Sequence, residues 1–118
     1  MWENAARASA LLRSMGNCHR LMVLCQLAES ERSVGELERL IGLSQSALSQ
    51  HLARLRRDNL VQTRRSAQTI YYSLAGGEAS VVLAALHQLY CADANKRGGS
   101  DPQSGDVSAE AATALLTP

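Results

Sequence analysis

Apolar residues recur at helical spacing from Ala5 through Ala8, Leu11, Leu12 and Met15, and Gly16-Asn17 breaks the run. A second stripe, Leu21, Leu24, Cys25 and Ala28, predicts a helix from about Cys18 to Ala28. Ser33 stands three residues before Glu36, the spacing of a capping box, so a short third helix carrying Leu37, Leu40 and Ile41 is expected to end at Gly42. Ser44 then caps a fourth, running to about Asp58. Two helices joined by a Gly-containing turn of this length form a helix-turn-helix.

After Asn59 the period changes from about 3.6 to about 2. Val61 and Thr63 alternate with Gln62 and Arg64, and Ile70, Tyr72 and Leu74 alternate with Thr69, Tyr71 and Ser73, around a polar break at Arg65 to Gln68. This predicts a β-hairpin, although its turn lacks an Asn-Gly signature. Gly76-Gly77 ends it, and Glu78 to about Ala94 reads as a last helix that is apolar nearly all round, with Val81, Val82, Leu83, Leu86 and Leu89. A small domain cannot bury every side of such a helix, so a homodimer interface is expected there. The expected fold is mainly α with a small β-wing: a winged helix-turn-helix of about five helices plus a two-stranded hairpin. Residues 1–97 are expected to form the folded, dimerising domain, and 98–118, with Asp101, Asp106, Glu110 and no basic residue, an acidic disordered tail.

Charge changes the picture. The 118 residues carry a net charge of only +1, which by itself speaks against a polyanion partner. Residues 44–65, however, hold five Arg and one Asp, while the tail is net −3. All the surplus positive charge therefore lies on the fourth helix and the first hairpin strand. No apolar run approaches the ~20 residues of a membrane-spanning helix, and MWENAARASALLRS lacks the basic start and apolar block of a secretory signal, so a cytoplasmic chain without membrane contact is expected. Three cysteines, Cys18, Cys25 and Cys91, do not make a disulfide framework in a reducing compartment.

On a helical wheel Leu48, Leu52 and Leu55 cluster on one side of the fourth helix. Ser46, Ser49, Gln50, Ala53 and Arg57 fall on the other, flanked by Gln45, Arg54 and Arg56. Gln and Arg make bidentate contacts to base edges, Ser donates or accepts, and Ala leaves room for a thymine methyl, so this face suits a major groove. The helix start at Ser44 and Gln45 offers backbone N–H groups to a phosphate. Arg64 and Arg65 before the hairpin tip and Gln68 after it place polar groups where a wing meets phosphates or the minor groove. The candidate DNA-binding set is Ser44, Gln45, Ser46, Ser49, Gln50, Arg54, Arg57, Arg64, Arg65 and Gln68. Tyr71 and Tyr72 read as packing residues rather than base-stacking ones.

The run ELERLIGLSQSALSQHLARLRRDNLVQTRRSAQTIYYSL, preceded by NCHRLMVLCQLAE, resembles the ArsR family of dimeric winged-helix repressors, in detail its BigR/SqrR-like persulfide-sensing branch. The resemblance spans about residues 14–92. It implies a homodimer formed through the first and last helices, an inverted-repeat operator, and release of DNA when an inducer reacts. The family's Cys-x-Cys metal motif is unmatched at Glu36 to Leu40, and the last helix offers a single His, His87, where an Asp-x-His site would stand. The persulfide branch carries one Cys in a context like Leu24-Cys25-Gln26-Leu27 and one in a context like Leu89-Tyr90-Cys91; both are present. By resemblance Cys25 and Cys91 are then a redox-sensing pair for reactive sulfur species, oxidation derepressing sulfide-detoxification genes. Without the resemblance, Cys25 reads as a core thiol on the second helix's apolar stripe.

Two other readings stay open. A metal- or arsenite-responsive repressor would use Cys18, Cys25, His87 and Cys91, His87 and Cys91 being spaced i, i+4. A winged helix can also serve as a protein-interaction module without DNA. No Gly-rich phosphate loop, HExxH motif or cleft carboxylate pair suggests an enzyme, and no cofactor is expected.

Overall fold

The computed structural model describes residues 1–92, with the backbone alone for Cys91 and Ala92. The element order is α1 (Trp2–Met15), α2 (Cys18–Glu29), β1 (Arg32–Ser33), α3 (Val34–Ile41), α4 (Gln45–Arg57), β2 (Val61–Ser66), β3 (Thr69–Leu74) and α5 (Glu78–His87), continued by a π-helical stretch, Gln88–Ala92. Five α-helices and a small antiparallel sheet of order β1-β3-β2 make a winged helix-turn-helix, the expected fold class. The segment 98–118, expected as an acidic tail, lies outside the described residues, as does the end of the last helix beyond Ala92.

Local chemistry sets the helix boundaries. The Asn17 side chain caps α2, accepting from the N–H groups of His19 at 2.9 Å and Arg20 at 3.1 Å. Ser33 and Glu36 form the expected capping box: the Glu36 N–H donates to Ser33 Oγ (3.2 Å), and the Ser33 N–H donates to Glu36 Oε1 (2.8 Å). Gly42, at φ 81°, closes α3, and Ser44 Oγ opens α4 by accepting from the Ala47 N–H. Past α4, Asn59 takes φ 62°; its N–H reaches Arg56 O and that of Leu60 reaches Leu55 O, a Schellman pattern. Leu55 and Leu60 are both buried beside this turn, so the exit of α4 and the start of the wing are fixed together.

The core runs through the helices. Val23, Leu24, Leu37, Leu48 and Leu55 are fully buried, and Leu52, Val61, Ala79 and Leu83 join them. Burying such a Leu is worth about 1.5–3 kcal/mol each, which binds α4 to α2 and α3 by its apolar side and leaves its polar side outward. On α5 only Ala79 and Leu83 are buried, whereas Val81 on α5 and Trp2 and Leu12 on α1 are exposed. Among the described residues, the first and last helices thus present apolar surface without cover.

Two features differ from the sequence reading. The two-residue strand β1 was not expected; it pairs with β3 through Arg32 and Tyr72 and through Ser33 and Tyr71, widening the hairpin to three strands. The hairpin turn is also tighter than the four-residue break suggested, since β2 runs to Ser66 and β3 starts at Thr69. Ala67 supplies the turn at φ 57°, a conformation ordinarily left to Gly or Asn. No described helix is long and apolar enough to cross a membrane.

Candidate nucleic-acid interface and thiol pair

The outward side of α4 carries Gln45, Ser46, Ser49, Gln50, Ala53, Arg56 and Arg57, all exposed. Ser44 is exposed as well, but its hydroxyl is engaged as the cap. The structure therefore gathers Gln45, Ser46, Ser49, Gln50 and Arg57 on one polar surface. Arg54 is set apart: half-buried, it turns toward the C-terminal end of α4, where its Nε donates to Asp58 Oδ2 at 3.0 Å. Arg57 Nε lies 3.6 Å from Asp58 Oδ1, yet the Arg57 side chain remains 71% exposed. Burial opposes ionisation of Asp58, but the hydrogen bonds it accepts and the adjacent Arg54 and Arg57 charges outweigh that and hold its carboxyl below the ordinary value.

Arg56 was placed only at the flank by sequence. With Ser49, Ala53 and Arg57 it lines an open groove between α4 and Tyr72 of β3. The wheel angle was the available signal, because Arg56 and Arg57 together straddle the polar side.

On the wing Arg64, Arg65 and Gln68 are all exposed. They differ in partners. Arg64 donates from Nε to Glu31 Oε2 and from Nη2 to Glu31 Oε1, both at 2.7 Å, and its guanidinium lies 4.7 Å from the centre of the Tyr71 ring. Bonding to Arg64 holds the Glu31 carboxyl below its usual range. Tyr72 packs on the core and Tyr71 lies beneath Arg64, so both act in packing.

A polar junction supports α4 from behind. Arg20 on α2 donates from Nε to Ser14 O at 2.6 Å, its Nη1 lies 3.4 Å from His51 Nδ1 on α4, and the His19 and His51 rings are 5.7 Å apart. The role of Arg20 was not legible in sequence, since its His51 partner lies 31 positions away in the chain.

Cys25 is 2% exposed on α2 among Val23, Leu24 and Leu27, and Cys18 is exposed at the start of the same helix. Helix α5 packs against α2, and the backbone of Cys91 belongs to the π-helical stretch that prolongs α5. Among the described residues no three His, Cys, Asp or Glu side chains gather to hold a metal; His87 is half-buried on α5.

The profile of bacterial regulatory proteins of the arsR family matches residues 19–63, from α2 into the wing. The chain is 54% identical to the transcriptional activator HlyU of Vibrio cholerae over 91 residues, 77% of this chain and 84% of that protein. The protein belongs to the ArsR family. It is a DNA-binding transcriptional regulator, of a family that is not enzymatic. Among solved ArsR-like structures, that of reduced HlyU from V. cholerae superposes with a TM-score of 0.74, covering 77% of this chain and 96% of that one. The biofilm growth-associated repressor of Xylella fastidiosa is 41% identical over 78% of this chain and 81% of its own length. A homodimeric winged helix-turn-helix DNA-binding domain from Mycobacterium bovis, 25% identical, superposes with a TM-score of 0.68 over 81% of this chain and 87% of its own.

Proposed function

We propose that this ArsR-family regulator is a homodimeric repressor that senses persulfide or polysulfide through Cys25 and Cys91 and leaves its operator when they are bridged. The observation that carries the reading is the placement of the two cysteines. One is buried on α2 within the core that seats the recognition helix, and the other follows α5 in a π-helical stretch, a form common at functional sites. The similarity to a named repressor supports the repressor half, although the 54% identical relative is named an activator; the sulfur-sensing half rests on the two cysteines themselves.

An organic polysulfide R–S–S–S–R supplies the sulfur and the oxidation together. The first Cys thiolate attacks the central sulfur and expels one RS⁻, and the second Cys thiolate attacks the same sulfur and expels the other. Cys25–S–S–S–Cys91 and two RSH result, the two thiol protons ending on the RSH. A third sulfur extends the bridge beyond the about 7 Å Cα separation that limits a disulfide, which would favour sulfur species over peroxide as inducers. Tying α2 to the segment after α5 would shift the dimer and the spacing of its two α4 helices.

In the bound state Gln50, Ser46, Ser49, Gln45 and Arg57 would read the major groove of an inverted repeat. The Ser44 helix start, Arg65 and Gln68 would meet the backbone, while Arg54 would brace the helix against Asp58. The exposed Trp2, Leu12 and Val81 would be covered by a second copy through the first and last helices. The test is operator binding by Cys25→Ser and Cys91→Ser. Both variants should bind DNA as the parent does and ignore polysulfide, whereas a variant that still dissociates would overturn the two-thiol switch.

A further inference from the structure

The bond between Arg64 and Glu31 joins the wing to the segment before β1, and it occupies a cation that would otherwise face DNA. Strand register explains how it forms. Arg64 of β2 is paired with Tyr71 of β3, which is paired with Ser33 of β1, so the three share one face of the sheet. Glu31, two residues before Ser33, keeps to that face, and the Arg64 side chain crosses the Tyr71 ring to reach it. The contact uses the Nε/Nη2 edge of the guanidinium against both carboxylate oxygens, the same fork that Arg offers to two phosphate oxygens. Arg65, paired with Ile70 in the next row, points to the opposite face. The two wing arginines are therefore not equivalent.

We propose that Glu31 is an intramolecular competitor for the DNA backbone, holding the Arg64 fork until a phosphate of a fully seated operator displaces it. The inference rests on the wing meeting the backbone, as proposed above. Exchange of carboxylate for phosphate conserves the two hydrogen bonds of the fork, so Arg64 adds little to loose encounters with any duplex. A phosphate takes it over only where docking of α4 brings the backbone within reach of the wing. Glu31 is in this sense a specificity-determining residue: it trims the sequence-independent electrostatic attraction that dominates non-specific binding. The pair is partly open, with the Arg64 side chain 56% and that of Glu31 33% exposed, so the exchange needs no unfolding.

The test measures binding of the full chain to a random-sequence duplex by fluorescence anisotropy across a salt series, for Glu31→Gln, Arg64→Ala, the double variant and Arg65→Ala. Circular dichroism checks that each remains folded. Glu31→Gln should tighten binding at low salt by about twofold to fivefold, the range of an exposed ion pair. It should also steepen the slope of log K against log salt by about one. In the Arg64→Ala background the same substitution should change neither. Equal tightening in both backgrounds would mean that Glu31 acts only by repelling DNA, and weaker or unaltered binding would make the pair a strut; each overturns the proposal. Arg65→Ala separates the two levels. A reduced salt slope keeps the wing on DNA whatever Glu31 does, whereas an unchanged slope removes the wing from the interface and overturns the underlying reading.

Discussion

Arg20 of α2 meets His51 of α4 with Nη1 and Nδ1 3.4 Å apart. Because a guanidinium has no acceptor, His51 Nδ1 must be unprotonated there, with the ring proton on Nε2. Burial, then the Arg20 charge, then His19 push the His51 pKa below its ordinary 6.5. The other charged groups of this junction are Arg54, whose charge bears on Arg20, and Asp58, which Arg54 engages.

The sign of the pH effect follows. The unfolded chain takes up the His51 proton first as pH falls, so the stability tied to neutral His51 is fully present above about 6.5 and is lost as pH drops through the lower folded value. The melting temperature of the parent should fall between about pH 7.5 and 5.5 by more than that of His51→Gln, since His19 and His87 are common to both. Equal pH dependence in a differential-scanning comparison would remove His51 from the account.

The outward position of Gln50 and the inward engagement of Arg54 separate two roles on one helix. Gln50→Ala should cost about 1–3 kcal/mol on operator DNA and little on random duplex. Arg54→Ala should weaken both alike by a smaller amount, in keeping with an ion pair worth about 0.2–1 kcal/mol. Competition titrations with the two duplexes read this difference; a specific loss confined to Arg54→Ala would reverse the assignment.

Val81 is 70% exposed on α5 although it lies on an apolar helix. If a second copy covers it, Val81→Arg buries an unpaired charge in the interface and should shift the chain from dimer to monomer in sedimentation equilibrium. A variant that still sediments as a dimer would place the interface elsewhere.

Much of the fold was legible because the signals that set it are local. Ser33 with Glu36, Gly42 and Ser44 act within four residues of their partners, and Leu48, Leu52 and Leu55 reveal the buried side of α4 by spacing alone. The exposed base-reading candidates followed from the same wheel. What escaped was nonlocal. Glu31 and Arg64 are 33 positions apart and Arg20 and His51 31, so neither pair leaves a trace in any window of sequence. Strand β1 has only two residues, too few for alternation to register. Arg54 is the local exception: the wheel angle puts it on a flank, and the i, i+4 pair with Asp58 that draws its side chain to the end of α4 is not carried by that angle.

In the proposed function, Cys25 and Cys91 form one sulfur-responsive switch. Intact mass spectrometry of the metal-free protein after polysulfide treatment, with peptide mapping, tests it most directly. The expected product is heavier by one sulfur and lighter by two hydrogens, maps to a bridge between Cys25 and Cys91, and forms as DNA is released. An unmodified pair in protein that has nonetheless left DNA, or a bridge that includes Cys18 instead, would contradict it.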